Sequence, residues 1–342
     1  MARGNSNTNA IGLKKTDYRG DDTTLCAGCG HISIGSQIIT TAFELGLQPE
    51  KIVKISGIGC SSKSPAYFLS RSFAFNALHG RMPSVASGAM LANRHLIAIG
   101  VSGDGDTGSI GLGQFKHAIR RNTPMVYIVE NNGVYGLTKG QFSATADEGQ
   151  VLKYYGTNEL PPMDLCLEAI VSDCGFVARS FAGDPKQVRP LLKAAISYNG
   201  LALLDIVSPC VAFNNAADST KGYDWARDHD APLHDISYIP LHEEITADYE
   251  PGTTSTVTLH DGSSIILRKV DEKYDPTDRA HALHTLEQAK EEDTLLTGLL
   301  YYDPGRVSLV ESERLTEVAL SHLSETELRP SEESLNSMMA SF

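Results

Sequence analysis

The chain has 342 residues, 41% of them hydrophobic and 21% charged, which is enough apolar side chain for one large α/β domain or two smaller ones and excludes wholesale disorder. Lys and Arg number 29 against 42 Asp and Glu, a net charge of -13 that excludes a cationic nucleic-acid coat or a polybasic membrane binder. No apolar run reaches the ~18 residues of a membrane span, the first 20 residues lack the apolar core of a secretory signal, and six cysteines are too few for a disulfide scaffold, so a reducing, cytoplasmic setting is expected.

Residues 1–24 are polar and patternless and read as an arm. From Ile32 to Leu45, apolar residues at Ile34, Ile38, Ile39, Ala42 and Leu45 keep helical spacing. Ile52–Ile55 reads as a short strand and Leu96–Val101 as a buried parallel one running into Ser102-Gly103-Asp104-Gly105-Asp106. A helix with Ile110, Phe115, Ala118 and Ile119 on its apolar side follows. The strand Met125–Val129 then stops at Glu130-Asn131-Asn132-Gly133. Asp164–Ser172 reads as helix and Phe176–Ser180 as strand. Asp184-Pro185 opens a helix to about Tyr198, with Asp as N-cap and Pro in the first turn. Leu201–Val207 is a last strong strand, ending at Ser208-Pro209-Cys210. Beyond about residue 216 the pattern weakens to a hairpin (Thr254–Leu259 and Ser264–Leu267 around Asp261-Gly262), two modest helices and an acidic, Ser-rich end.

This alternation predicts a doubly wound, mostly parallel α/β sheet, whose ligands bind at the carboxyl ends of its strands. Gly57–Cys60, Gly103–Asp106, Glu130–Gly136 and Ser208–Cys210 all fall at such ends. Gly103-Asp104-Gly105 followed 26 residues after Gly105 by Asn131-Asn132 suits a diphosphate held through a divalent metal. Glycines admit the phosphates, Asp104 and Asn132 offer hard oxygens, and the next helix adds a positive N-terminus. Cys26-Ala27-Gly28-Cys29, with Cys60 and Cys210, gathers four thiols able to bind Zn²⁺ or a [4Fe–4S] cluster, and spacing alone does not choose. Cys166 and Cys174 read as packing residues. Lys63 and Lys139 lie in the same loops and suit an anionic substrate, and His31 and His79 are further candidates by position.

CAGCGH at 26–31, SGIGCSSK at 56–63, LHGR at 78–81, GDGD at 103–106, ENNGVYGLTKGQ at 130–141 and SPC at 208–210 together resemble the β subunit of 2-oxoacid:ferredoxin oxidoreductases, in that family's order. Within it, ENNGVYGLTKGQ and the long C-terminal part look most like 2-oxoglutarate:ferredoxin oxidoreductase β subunits. The resemblance implies a thiamine-diphosphate-binding domain over residues 25–215 and a C-terminal extension, 216–342, that packs on a partner subunit or over the cluster. It implies that Cys26, Cys29, Cys60 and Cys210 ligate one [4Fe–4S] cluster and that Asp104, Asn132 and the Val134 carbonyl bind Mg²⁺. Ile58, Gly59, Cys60, Ser61, Gly105, Asp106, Gly136 and Leu137 would line thiamine diphosphate, and Lys63 and Leu137 would face the 2-oxoacid side chain. The expected reaction is oxidative decarboxylation of 2-oxoglutarate with coenzyme A and ferredoxin, by a dimer of heterodimers with a larger α subunit and with no nucleic acid or membrane as partner. Pyruvate or a broader range of 2-oxoacids is the alternative substrate class. A non-redox decarboxylase subunit would not need the four cysteines, and a zinc-stabilised binding module would not need the GDG…NN pair.

Overall fold

The computed structural model describes residues 8–138, 140–152, 155–208, 210–212, 245–258, 264–271, 273–292 and 294–342. Its main-sheet strands are β1 (Ile52–Ser56), β2 (Phe73–Asn76), β3 (Ile97–Gly103) and β4 (Met125–Asn131). Two small hairpins follow, β5 (Val134–Tyr135) with β6 (Gln141–Phe142) and β7 (Val151–Leu152) with β8 (Gly156–Thr157). The main sheet resumes with β9 (Phe176–Phe181), β10 (Leu201–Val207), β11 (Thr254–Thr258), β12 (Ser264–Lys269) and β13 (Leu295–Tyr302). Among the described residues it has nine strands in the order β11-β12-β13-β9-β10-β4-β3-β1-β2. From β9 to β2 all pairings are parallel. β3, β4 and β10 are almost wholly buried, as their unbroken apolar runs require.

Helices cover both faces. On one lie α1 (Gly30–Glu44) and α5 (Pro185–Ser197), contributing Ile34, Ile38, Val188 and Leu192 to one apolar cluster. On the other lie α2 (Met82–Ala92), α3 (Leu112–Arg121) and α4 (Leu165–Val171), with Met82, Met90, Phe115 and Ile170 in a second cluster. α5 starts as its sequence requires: Asp184 accepts from the Gln187 N–H, and Pro185 stands in the first turn. The chain leaves β1 for the edge at β2, then crosses back to β3 on the other side. This reversal opens a crevice at the carboxyl ends of β1 and β3, where doubly wound sheets bind ligands.

The structure departs from the sequence reading in several places, and α2 and the two small hairpins β5–β6 and β7–β8 are elements that reading did not contain. β2 and β13 were not expected. β2 is exposed at all four positions and so lacks an alternating signal; β13 pairs antiparallel with β9. The single helix expected after Gly105 is a wide turn, Asp106–Ile110, followed by α3. Within the polar arm, Tyr18 is fully buried, donating to the Leu47 carbonyl at 2.7 Å and accepting from Asn9 Nδ2 at 2.8 Å; one aromatic anchor makes no periodic pattern. The described part of 216–342 shares this fold: β11–β13 extend the sheet, and the helix Arg279–Glu291 adds Ala282, Leu286 and Ala289 to the α2–α4 core. The expected hairpin turn Asp261-Gly262 lies outside the described residues. Among those residues no helix is long and apolar enough to cross a membrane.

Candidate functional site

The strand-end loops line a narrow, partly open cleft between β1, β3 and β4. Eleven predicted residues line it: Ile58, Gly59, Cys60 and Ser61 after β1; Asp104, Gly105 and Asp106 after β3; Asn132, Val134 and Gly136 after β4; and His31 from α1. Lys63 and Leu137 do not line it; Leu137 is half exposed at its rim. Lys139 lies outside the described residues.

Asp104 is buried. Its Oδ2 accepts from Ser143 Oγ and, at 2.7 Å, from Thr145 Oγ1, while Oδ1 accepts from the Asn132 N–H at 3.3 Å. Burial raises its pKa. Asn132 Oδ1 accepts from the Val134 N–H at 3.1 Å, a turn that folds Val134 back over the cleft. The Asp104 carboxylate, the Asn132 side-chain carbonyl and the Val134 backbone thus meet at one wall, a hard-oxygen donor set that suits Mg²⁺ with phosphate oxygens completing its shell.

Asp106 does a different job. Its Oδ1 accepts from the Gly80 N–H at 2.6 Å; its Oδ2 accepts from the Ile58 N–H at 3.2 Å and Ser102 Oγ at 2.9 Å. One carboxylate ties together the loops after β1, β2 and β3. Gly57 allows this approach, because a Cβ there would stand 2.1 Å from Asp106 Oδ2. Gly59 has φ +86° and no atom within 4 Å of where a Cβ would be, leaving its backbone open for a ligand to approach.

In the cleft wall, His31 and Glu130 are both buried, with Nε2 and Oε2 3.7 Å apart. Burial lowers His31 to about 4 and raises Glu130 well above its ordinary value, so the surroundings disfavour the charged form of each. His31 Nδ1 bonds Ser208 Oγ at 2.7 Å, and Ser64 Oγ donates to Glu130 Oε2 at 2.8 Å, leaving Glu130 Oε1 without a partner. His31 is therefore pinned between strand ends.

All six cysteines are thiols. Burial pushes Cys29 up, and Cys210, Glu130 and Cys26 add to it; burial and then Cys26 push Cys60 up, with Lys63 opposing. The four predicted ligands thus act on one another electrostatically. Among the described residues no three His, Cys, Asp or Glu side chains close around a single ion. A four-iron cluster is wider than an ion, and four interacting thiols from three loops suit its chemistry. Cys166 and Cys174 lie in the apolar core.

Sequence reasoning missed Ser143, Thr145, Glu130 and the buried pair Arg179–Asp205. The last left a signal, a charge inside each of the apolar strands FVARSF and LALLDIV, at positions that pair across β9 and β10.

Residues 57–206 match the thiamine pyrophosphate enzyme C-terminal TPP binding domain. The chain is 43% identical over 202 residues to a 2-oxoacid:ferredoxin oxidoreductase subunit beta of Saccharolobus solfataricus, covering 58% of this chain and 65% of that one. It is 35% identical over 190 residues to the 2-oxoglutarate synthase subunit KorB of Methanocaldococcus jannaschii, covering 55% and 69%. The chain thus spans about two thirds of these curated relatives. A 2-oxoglutarate:ferredoxin oxidoreductase from Magnetococcus marinus, solved with 2-oxoglutarate, coenzyme A and succinyl-CoA bound, superposes with a TM-score of 0.71 at 28% identity over 99% of both chains.

Proposed function

The chain belongs to the family of 2-oxoacid:ferredoxin oxidoreductase β subunits, and from that premise we propose that it serves the coenzyme A-dependent oxidative decarboxylation of 2-oxoglutarate to succinyl-CoA and CO₂, with electrons delivered to ferredoxin. The observation that carries this reading is the convergence of the GDG, NN and GIGC loops on one cleft, with Cys60 in its lining and Cys26, Cys29, Cys60 and Cys210 linked electrostatically. The names of the KorB relative and of the Magnetococcus enzyme favour 2-oxoglutarate among the 2-oxoacids.

In this reading Asp104, Asn132 and the Val134 carbonyl hold Mg²⁺ on the diphosphate, and the Gly59 and Gly105 backbones let the phosphates approach. Cys26, Cys29, Cys60 and Cys210 hold one [4Fe–4S] cluster. When bound, thiamine diphosphate supplies the electron sink for decarboxylation and the cluster a one-electron outlet. The protein's own part is to orient and to exclude water. His31, held by Ser208, and Glu130, held by Ser64, form a buried polar wall of the cleft, and Tyr135, donating to the Gly105 carbonyl at 2.9 Å, fixes the wall over the metal. Lys63 stands three residues past Cys60 and supplies a cation for a second substrate carboxylate.

A partner subunit completes the site. Beside the cleft, β2 and the turn after it expose Phe73, Phe75 and Leu78, an apolar edge that a soluble monomer rarely leaves bare. The larger α subunit would cover it in a dimer of heterodimers, and part of 216–342 would pack on that subunit or over the cluster. The test is anaerobic co-purification with the α subunit, then an assay of ferredoxin reduction with a panel of 2-oxoacids and coenzyme A. Reduction fastest with 2-oxoglutarate, by brown protein containing iron and thiamine diphosphate, is expected. Colourless protein, or turnover without coenzyme A, would overturn the reading.

A further inference from the structure

Arg179 is a charged residue in the middle of the sheet, 4% exposed, whose cost of burial the fold must offset. Its Nε donates to Asp205 Oδ2 at 2.9 Å, and its Nη2 donates to Asp164 Oδ1 at 2.5 Å. Asp164 is already the N-cap of α4, and Arg179 helps hold its carboxyl below the usual range against the opposing effect of burial. The other oxygen of Asp205 points toward the cleft end of the sheet, where Oδ1 accepts from Asn131 Nδ2 at 2.9 Å. That contact decides which way the Asn131 amide faces. A carboxylate oxygen takes only donors, so the NH₂ turns to Asp205 and Oδ1 is presented on the opposite side. There Asn131 Oδ1 meets Thr145 Oγ1 at 2.8 Å, and Thr145 Oγ1 lies 2.7 Å from Asp104 Oδ2. An unbroken chain of polar contacts therefore runs from the Arg179 guanidinium, through Asp205, Asn131 and Thr145, to Asp104.

We infer that Arg179 and Asp205 are positioning residues for the metal ligand Asp104, acting through the orientation of the Asn131 amide and the Thr145 hydroxyl. Thr145 has one proton and two acceptors, Asp104 and Asn131. With the Asn131 carbonyl facing it, the hydroxyl is held in the plane between the two, and the Asp104 carboxylate is fixed in rotation. If Asn131 turned over, its NH₂ would donate to Thr145 and the hydroxyl would be committed to Asp104 alone, competing with a metal for the same oxygen. Arg179 prevents this turn from the far side of β10, because its guanidinium cannot lose its proton and so keeps Asp205 an acceptor toward Asn131. Outer partners of metal ligands act in this way: they touch neither ion nor substrate, yet set the ligand's direction.

The inference rests on the reading of Asp104 as a metal ligand, and its test separates the two. Mn²⁺ affinity is measured on the complete αβ complex, depleted of metal and supplied with thiamine diphosphate, from the electron paramagnetic resonance signal of free Mn²⁺. Asp205→Asn keeps the side-chain shape, keeps an acceptor for Arg179 and turns an NH₂ toward Asn131, which reverses the Asn131 amide. Thr145→Val removes the link to Asp104. Asp205→Asn is expected to weaken Mn²⁺ binding by about tenfold, at the lower end of what outer partners of metal ligands contribute. In a Thr145→Val background the same replacement should add little, because the path is already cut. Unchanged Mn²⁺ affinity in Asp205→Asn, or an equal loss in both backgrounds, would overturn the relay while leaving the metal site standing. A parent complex that binds no Mn²⁺ would overturn the metal reading and the relay with it. Should Asp205→Asn fail to fold, Asn131→Leu breaks the chain one link later, leaves Arg179 paired with both carboxylates, and is expected to show the same loss and the same non-additivity.

Discussion

Asp106→Asn separates two jobs that a residue of the GDGD motif can do, touching the cofactor or holding the loops that do. The carboxylate takes three donors, the N–H groups of Gly80 and Ile58 and the hydroxyl of Ser102. An amide of the same size keeps one acceptor oxygen and sets an NH₂ where the other was. If oxygen stays on Gly80, the NH₂ faces the Ile58 N–H, donor against donor; Ser102 can turn its hydroxyl away, but Ile58 cannot. A backbone N–H left unpaired in a part-buried loop costs about 1–3 kcal/mol, and exchanging charge-assisted bonds for neutral ones costs roughly another 1 kcal/mol. The replacement should therefore destabilise the protein by about 2–4 kcal/mol, a fall in unfolding midpoint of several degrees at this chain length. The loss should be present without cofactor, because the bonds lie within the chain. Gly57→Ala, whose Cβ would stand 2.1 Å from Asp106 Oδ2, should act through the same brace. The assay is thermal unfolding of the cofactor-free protein, followed by titration with thiamine diphosphate and Mg²⁺. A cofactor-free Asp106→Asn protein as stable as the parent, weakened only in cofactor binding, would refute the bracing account and make Asp106 a ligand contact.

Replacing Cys210 by Ser should lose iron, whereas Cys166→Ala and Cys174→Ala, in the apolar core, should retain it; full iron in the Cys210→Ser protein refutes the ligand assignment. Asp104→Ala should abolish retention of thiamine diphosphate through gel filtration, and stoichiometric cofactor in that variant would place the metal elsewhere. Lys63→Met should cost 2-oxoglutarate turnover about ten- to a hundredfold more than pyruvate turnover, the worth of a partly desolvated ion pair of about 1.5–3 kcal/mol; equal losses would make Lys63 a structural residue. Lys54 is buried on β1 with Nζ on the Phe68 carbonyl at 2.7 Å, and burial lowers it from 10.5 to about 8. The unfolded chain therefore binds the extra proton between those values, and stability rises with pH across that window by up to about 1.4 kcal/mol per unit. Lys54→Met should be most favoured relative to the parent below about pH 8 and lose that advantage toward pH 10 in urea unfolding; parallel pH curves would refute this.

What the sequence by itself determined is local in origin. Unbroken apolar runs such as LIAIGV and LALLDIV can be buried only on both faces, so they imply a parallel sheet between helix layers. Asp184-Pro185 can only open a helix. Glycine, aspartate and asparagine directly after such strands place the polar loops at one end of the sheet, where the GDG and NN motifs meet in the cleft. Tertiary structure alone decided how those residues divide the work, because each answer depends on a partner far away in the chain. Asp104 and Asp106 stand two apart in one motif, yet one faces Thr145 and Asn132 while the other binds Gly80 and Ile58. Nothing in GDGD distinguishes them until β1, β2 and β4 are in place. β13 reads as apolar, but its antiparallel seat beside β9 follows from the open edge that β9 presents. Arg179 and Asp205 each look like an error in an apolar strand until β9 and β10 pair in register and the two charges meet. Neither charge would be tolerated there alone, since an unpaired ion in the sheet costs more than the strand's burial returns.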